Sequence, residues 1–392
     1  MSHERLPRTI WILGLASLSM DLSSELIHSL LPVFLVSVLG TSAAALGLIE
    51  GVAEATASIA KVCSGVWSDR LGRRKPLVVS GYGLAALAKP LFPLATTAGA
   101  VLTARFADRL GKGIRGAPRD ALIADITPAE QRGAAFGLRQ ALDTLGAVLG
   151  PLAAIALMAA FAGNIRGVFW VAALPAWVAV ALLLFGIDEP TRHADDRPPR
   201  TLPHLGELRQ LSAAYWSVVV IGAVFTLARF SEAFLVLRAH DVGLSLAWTP
   251  LALVVMNITY VVSAYPVGRL SDRVGRVGLL ACGLVMLIVA DVILALGVQL
   301  SATLVGIAVW GLHLGLTQGL LSAMVADTAP AALRGSAFGV FHLVSGVATL
   351  AASLLAGVLW EAVGPSTTFF TGALFTAAAL AGLIWWRAHF AK

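Results

Sequence analysis

The residues that can do chemistry here are charges set in an apolar chain. The stretch ARFADRLGKGIRGAPRDALIAD (104–125) carries Arg105, Asp108, Arg109, Lys112, Arg115, Arg119 and Asp120. Positions 105, 108, 112, 115 and 119 step by three and four, so a helix sets them on one face and leaves Ala107, Leu110 and Ile114 on the other. Other charges sit at helical spacing elsewhere: Asp21 with Glu25, Glu50 with Glu54, and Arg139 with Asp143. In a membrane core each such charge costs roughly 2.5–3.5 kcal/mol. These groups must therefore pair with one another, or face water and act on a proton or a solute. A carboxylate beside a mobile arginine can change its protonation through either desolvation or charge. Asp21 and Glu25, with Arg105 or Arg109 as counter-charge, are the first candidates for proton coupling, and Glu54 and Asp143 the second. Clustered carboxylates also suit Na⁺, so a sodium-coupled scheme stays open. The plainer alternative is a structural salt-bridge network.

Composition requires the apolar setting. The 392 residues are 58% hydrophobic and 13% charged, about half the charged share of soluble domains, which is roughly 25%. Apolar runs such as GVFWVAALPAWVAVALLLFGI (167–187) approach the length of a spanning helix and do not alternate as barrel strands do. The fold class expected is an all-α membrane protein. Cys63 and Cys282 read as buried small hydrophobes, and nothing has the spacing of a metal site. GKGIRG (111–116) lacks the Ser or Thr of a nucleotide-binding loop, and no nucleophile–base pattern stands out. An enzyme is not expected, nor a cofactor. MSHERLPRTI is a short basic lead rather than a signal peptide.

Twelve helices are expected, at 9–39, 43–66, 76–97, 98–124, 131–161 and 164–187, then at 213–240, 246–268, 277–298, 300–327, 335–362 and 365–388. Residues 188–212, polar and proline-rich, form a linker between a six-helix bundle at 1–187 and another at 213–392. Basic residues concentrate in DRLGRRKP (69–76), the linker, GRLSDRVGR (268–276) and the C-terminus, while GTSAA (40–44), ATTAGA (95–100) and GVQLSA (297–302) have none. Both termini are thus expected on the cytoplasmic side of a plasma (inner) membrane. The net charge of +6 reflects this bias and carries no nucleic-acid signature.

The chain repeats itself. SDRLGR (68–73) recurs as SDRVGR (271–276), and ADITPAEQRGAAFG (124–137) as ADTAPAALRGSAFG (326–339), at offsets of 203 and 202 residues. Duplicated six-helix halves are a transporter architecture with a site near the bilayer midplane. GVWSDRLGRRKP (65–76) resembles the signature loop of the major facilitator superfamily, of bacterial type, through Gly65, Asp69, Arg70, Gly72, Arg73, Arg74 and Lys75; Asp272 and Arg273 continue it in the second copy. GAVLGP (146–151) resembles the antiporter motif of that superfamily's exporters at Gly146, Gly150 and Pro151, with Ala153-Ala154 where a glycine pair is usual. The resemblance implies twelve helices in two pseudo-symmetric bundles and alternating access. It implies a latch at the signature-loop residues, which can pair with carboxylates or helix ends and hold the halves in one state. It implies a cavity lined by helices 1, 4, 7 and 10. On that basis Arg105, Asp108, Arg109, Lys112, Arg229, Glu232, His313 and Gln318, with Asp21 and Glu25, are substrate-cavity candidates. Asp291, on helix 9, stands alone.

The leading expectation is a proton-coupled exporter of small molecules, monomeric in the bilayer. The alternative is a carrier of phosphorylated or carboxylated metabolites using the basic face of helix 4. A membrane sensor or lipid-handling protein on the same fold is a third reading.

Overall fold

The computed structural model describes residues 6–71, 73–128, 131–187, 211–274, 276–317, 320–330 and 333–390, with the side chains of 69–70, 132–133, 265–276, 323 and 334–336 also outside the description. The expected linker, 188–212, therefore falls almost entirely outside the described residues. Among those described, every regular element is helical. Among the described residues, eleven helices are long and apolar enough to cross a membrane. Ala98–Ile126 is equally long and is the twelfth span, too charged to qualify on hydropathy alone.

Local chemistry sets the ends. Thr97, Asn164 and Ser212 precede helices 4, 6 and 7, and each side-chain oxygen accepts the backbone N–H three residues on. Gly40 and Gly243, 203 residues apart, follow helices 1 and 7 with φ of 64° and 105°, a conformation that costs glycine little. The duplication thus extends to the turns.

Several spans expected to be continuous are broken. Helix 1 runs Arg8–His28, resumes at Leu31–Val33 and ends in a wide π turn, Phe34–Val38. Pro32 explains the break, because its ring clashes with the carbonyl four residues back, at His28. Helix 3 divides into Lys75–Ala88 and Leu91–Leu94 at Pro90. Helix 7 divides into Ala213–Ala228 and Ala233–Asp241 with no proline at the break; Arg229 leaves helical geometry at ψ 69°.

The chain forms two compact units. One comprises residues 1–31 and 56–201, the other residues 32–55 and 202–392. The core of the first unit includes Ile10, Leu13, Met20, Tyr82, Leu122 and Leu183. Helix 5 lies backbone-close to helix 1 here. A Cβ at Gly146 would fall 2.8 Å from the Leu18 carbonyl oxygen, and one at Gly150 would fall 2.6 Å from Cβ of Glu25. The glycines of GAVLGP therefore press helix 5 onto the helix that carries Asp21 and Glu25.

The second unit has an aromatic core. Phe230 lies 5.5 Å from both Trp310 and Phe369, and Trp360 lies 5.5 Å from Phe234, ring centre to ring centre. The start of helix 2 and the last third of helix 11, Arg334–Ala362, also meet through bare backbone: a Cβ at Gly47 would collide with the Ser353 carbonyl, and one at Gly357 with that of Ala43. Cys63 and Cys282 are exposed on their spans, which corrects the expectation that they are buried. A surface solvated by lipid gives a small apolar thiol no reason to hide.

Gly146→Ala is expected to lower the thermal midpoint in detergent, at a cost of about 1–3 kcal/mol from overpacking. Gly137→Ala, where nothing lies within 4 Å, is expected to leave it unchanged or slightly raised. Tryptophan-fluorescence melts compare the two.

Candidate functional site

Helix 4 enters at Ala98, so Asp108 lies ten residues along it, about 15 Å deep in a core of about 30 Å. Arg105, Asp108, Arg109 and Arg115 are all buried in the first unit, whereas Lys112 is exposed. Two groups of polar residues meet on this helix.

The deeper group centres on Lys89, at the proline break of helix 3. Its Nζ lies 2.7 Å from Asp108 Oδ1 and donates to Ser24 Oγ at 2.9 Å. Lys89 is 1% exposed. Asp108 Oδ2 also faces Arg109 Nε at 4.0 Å. Nη2 of Arg105 and of Arg109 approach His28 Nδ1 at 3.1 and 3.4 Å. An arginine can only donate, so Nδ1 accepts and His28 is neutral.

The second group lies one to three turns further along helix 4. Arg115 Nη2 is 4.0 Å from Asp21 Oδ1, and its guanidinium sits 4.5 Å above the Tyr82 ring. Arg119 Nη1 donates to Ser17 Oγ at 2.6 Å, and Ser17 Oγ and Tyr82 Oη are 3.0 Å apart. Arg119 Nε reaches Asp120 at 3.3 Å, and Arg139 bridges Asp120 (3.8 Å) to Asp143, with which it forms a short charge-assisted bond. Helices 1, 3, 4 and 5 thus meet in this second polar group, helix 3 through Tyr82.

The expected counter-charges are differently placed. Arg105 and Arg109 sit at His28, and Asp21 faces Arg115. Helices 1 and 4 run antiparallel, so a residue later on helix 1 meets one earlier on helix 4. That register sets Glu25 at the level of Arg109 and Lys112, the cations that act on it most strongly. Lys89 and His28 were not singled out from sequence. Lys89 had a signal, a lone cation before proline in the otherwise apolar ALAKPLFP, and His28 stands four residues before Pro32.

The remaining candidates fall in the second unit. Glu54 is half-buried on helix 2; Glu50, one turn earlier, is 1% exposed and accepts from Ser231 Oγ at 3.3 Å. Arg229 and Glu232 flank the break of helix 7, and the Arg229 guanidinium lies 5.4 Å from the Phe225 ring. His313 is fully buried, with Nδ1–H donating to the Trp310 carbonyl at 2.6 Å. Gln318 lies outside the described residues.

In the signature loop, Gly65 is half-buried and Arg73 exposed. Arg74 is buried, its Nε 2.6 Å from Asp125 Oδ2 and its Nη1 3.0 Å from Ser68 Oγ. Lys75 Nζ donates to the Ile187 and Leu184 carbonyls at the end of helix 6. These contacts join ends of helices 2, 3, 4 and 6 within one unit. The latch expected between halves is not among them. Gly72 and the side chains of Asp69, Arg70, Asp272 and Arg273 lie outside the described residues.

A broken, charged helix 4 partner set and duplicated spans point to one family, and its sequence model decides the matter: the model of the Major Facilitator Superfamily matches residues 13–258 and 220–391. The chain belongs to the Major Facilitator Superfamily. It is 32% identical over 390 residues to an uncharacterised MFS-type transporter of Methanocaldococcus jannaschii, covering 98% of this chain and 95% of that one. It is 28% identical over 318 residues to a class E tetracycline resistance protein of Escherichia coli, covering 74% and 73%. Among solved structures, the nucleoside transporter NupG, in mutant form, superposes with a TM-score of 0.79 at 12% identity over 96% of this chain and 99% of that chain. The superfamily fold and membership make this chain a multi-pass membrane transporter.

In this superfamily member, Asp108→Asn is expected to cost more stability than Lys89→Met. Loss of Asp108 strands Lys89, Arg105 and Arg109 together, at about 3–5 kcal/mol, whereas loss of Lys89 leaves Asp108 its arginines. Thermal melts of the purified variants test the order.

Proposed function

We propose that the chain is a proton-coupled exporter of small molecules, working by alternating access as a monomer. One observation carries this reading. The Asp21 side chain is 26% exposed while its partner Arg115 is 5% exposed, so the acid stays within reach of water and its counter-charge does not. Protonating Asp21 removes the charge that draws Arg115 away from the Tyr82 face, where a cation–π contact already holds it. Glu25, one turn along the same face and half-buried, feels the buried Arg109 most strongly among the cations, with the exposed Lys112 next. Glu54 and Asp143 are secondary coupling groups. Changing partners shifts the balance between inward- and outward-open states only because the two states bind the proton unequally.

The packing of Gly146 and Gly150 against Leu18 and Glu25 supports the exporter assignment, because the motif lies directly on the coupling helix. The tetracycline resistance relative supports the same direction. On this reading, residues 1–187 and 213–392 are the two rocking halves and 188–212 their cytoplasmic linker. Both termini are cytoplasmic, the membrane is the inner one, and the protein is a carrier rather than an enzyme. The signature-loop residues hold the inner side closed.

A second reading, transport of an anionic metabolite, has its own support. Among the described residues of the first unit, the buried charges are Arg74, Lys89, Arg105, Arg109 and Arg115 against Asp108 alone. Cavity candidates Arg105, Asp108, Arg109, Lys112, Arg229, Glu232, His313 and Gln318 serve either substrate class.

In inside-out vesicles holding an acidic interior, ethidium or tetracycline is expected to collapse the pH gradient, as read by an acridine dye. Asp21→Asn is expected to slow this about tenfold, equivalent to about 1.4 kcal/mol. Flux of both probes that ignores the pH gradient overturns the exporter reading. Thermal stabilisation by a sugar phosphate or a dicarboxylate, lost on Lys112→Gln, would favour the anion carrier.

A further inference from the structure

Asp291 lies on helix 9, Arg276–Leu296, and is fully buried. Neither carboxylate oxygen has a hydrogen-bond partner among the described residues. Its surroundings are close-packed: a Cβ at Gly372 on helix 12 would fall 2.9 Å from Asp291 Oδ2 and 3.1 Å from Cε1 of Phe230. Phe230 belongs to the non-helical break of helix 7 and leans on Trp310 and Phe369. Asp291 stands 202 residues after Lys89, and Trp310 stands 202 after Asp108. That is the offset between the two copies of the helix 4 tail. The first unit has an ion pair where the second has one acid beside an aromatic wall.

Charged and titratable groups on the neighbouring elements are engaged elsewhere or out of reach. Arg238, on the outer piece of helix 7, packs toward helix 9 but donates to the Leu294 and Gly297 carbonyls, at 3.0 and 2.8 Å. Asp241 lies beside Arg238. Arg229 and Glu232 flank the break. On helix 10, His313 gives its Nδ1 proton to Trp310, and on helix 8 Tyr260 lies near Arg229. Arg387 and His389 are fifteen or more residues past Gly372 on helix 12, about 22 Å along it. No charged side chain interacts with Asp291 among the described residues.

An isolated carboxylate cannot remain ionised in such surroundings, where burial without a partner costs far more than neutralisation. Gly372 and Phe230 close off one side of the carboxylate, and among the described residues no group of three or more His, Cys, Asp or Glu gathers there to hold a metal ion. The occupant that fits is a proton. We propose that Asp291 is a proton-carrying group of this transporter, protonated behind Phe230 in the conformation described and opened to water when the break of helix 7 moves. The proposal rests on the proton-coupled reading. It adds a site in the carboxy-terminal unit, five residues from the end of helix 9 and so about 8 Å from it. By the distribution of basic loops that end faces the exterior, the side from which an antiported proton enters. Only the O–H bond is made or broken, with the proton taken from and returned to water.

The test uses the reconstituted full chain. Infrared spectra of wild type and Asp291→Asn are compared at neutral and mildly alkaline pH. The wild type is expected to show the C=O stretch of a protonated carboxyl free of hydrogen bonds, absent from the variant; identical spectra overturn the proposal. Asn is nearly isosteric with the neutral acid, so the variant is expected to melt within a degree or two of wild type, whereas an ionised Asp291 would make the wild type clearly less stable than the variant at alkaline pH. In the vesicle assay with ethidium, Asp291→Asn is expected to keep downhill flux and lose at least tenfold in pH-driven flux; retained coupling overturns the proposal. A wild type without any coupling defeats the exporter reading instead, while the infrared comparison still decides whether Asp291 holds a proton.

Discussion

A charge inside a membrane bundle must meet an opposite charge or a donor, and the arrangement of the first unit depends on satisfying that demand many times at once. Lys89 with Asp108, Arg115 with Asp21, and Arg139 with Asp143 and Asp120 each join two helices or two turns of one helix. Removing one partner from such a buried pair costs more than the pair itself contributes, so the network enforces a single register more than it adds stability. The antiparallel course of helices 1 and 4 sorts the partners. The backbone-close glycines of helix 5 then hold helix 1 where that sorting works.

The second unit inherits the geometry and solves a different problem. Helix 7 breaks where helix 1 breaks, and Gly243 turns as Gly40 turns. Yet the positions that carry Lys89 and Asp108 in the first copy carry Asp291 and Trp310 in the second. Aromatic edges packed on faces replace ion pairs. Rings can slide and tilt against one another at small cost, whereas ion pairs hold their distances. One half is thus suited to specifying charge, the other to accommodating shape.

Much of this was legible in the residues. Hydropathy gave every span but helix 4, and the period of three and four showed that the charges of helix 4 share a face. Two repeated motifs revealed the duplication. Pro32 and Pro90 marked two of the breaks for anyone reading the carbonyl four residues back. The break at Arg229 had no such mark, since it follows from packing around Phe230 and from Ser231 bonding to Glu50 and Ser353 rather than from a missing N–H. The partner of each charge was also hidden, because sequence gives depth along one helix but not the stagger between two. Lys89 was overlooked for a simpler reason: a single cation hardly changes the hydropathy of the run around it.

The seam of Gly47 and Gly357 against the Ser353 and Ala43 carbonyls has a consequence for speed. Where side chains interlock, surfaces can part only after rotamers turn and new neighbours are found. Here main chain rests on main chain, held by dispersion and weak Cα–H···O contacts. Such a join resembles two smooth plates rather than a zip: apart from the Glu361 carboxylate, which accepts from the Ala44 N–H at 3.3 Å, little has to turn for one backbone to slide along the other.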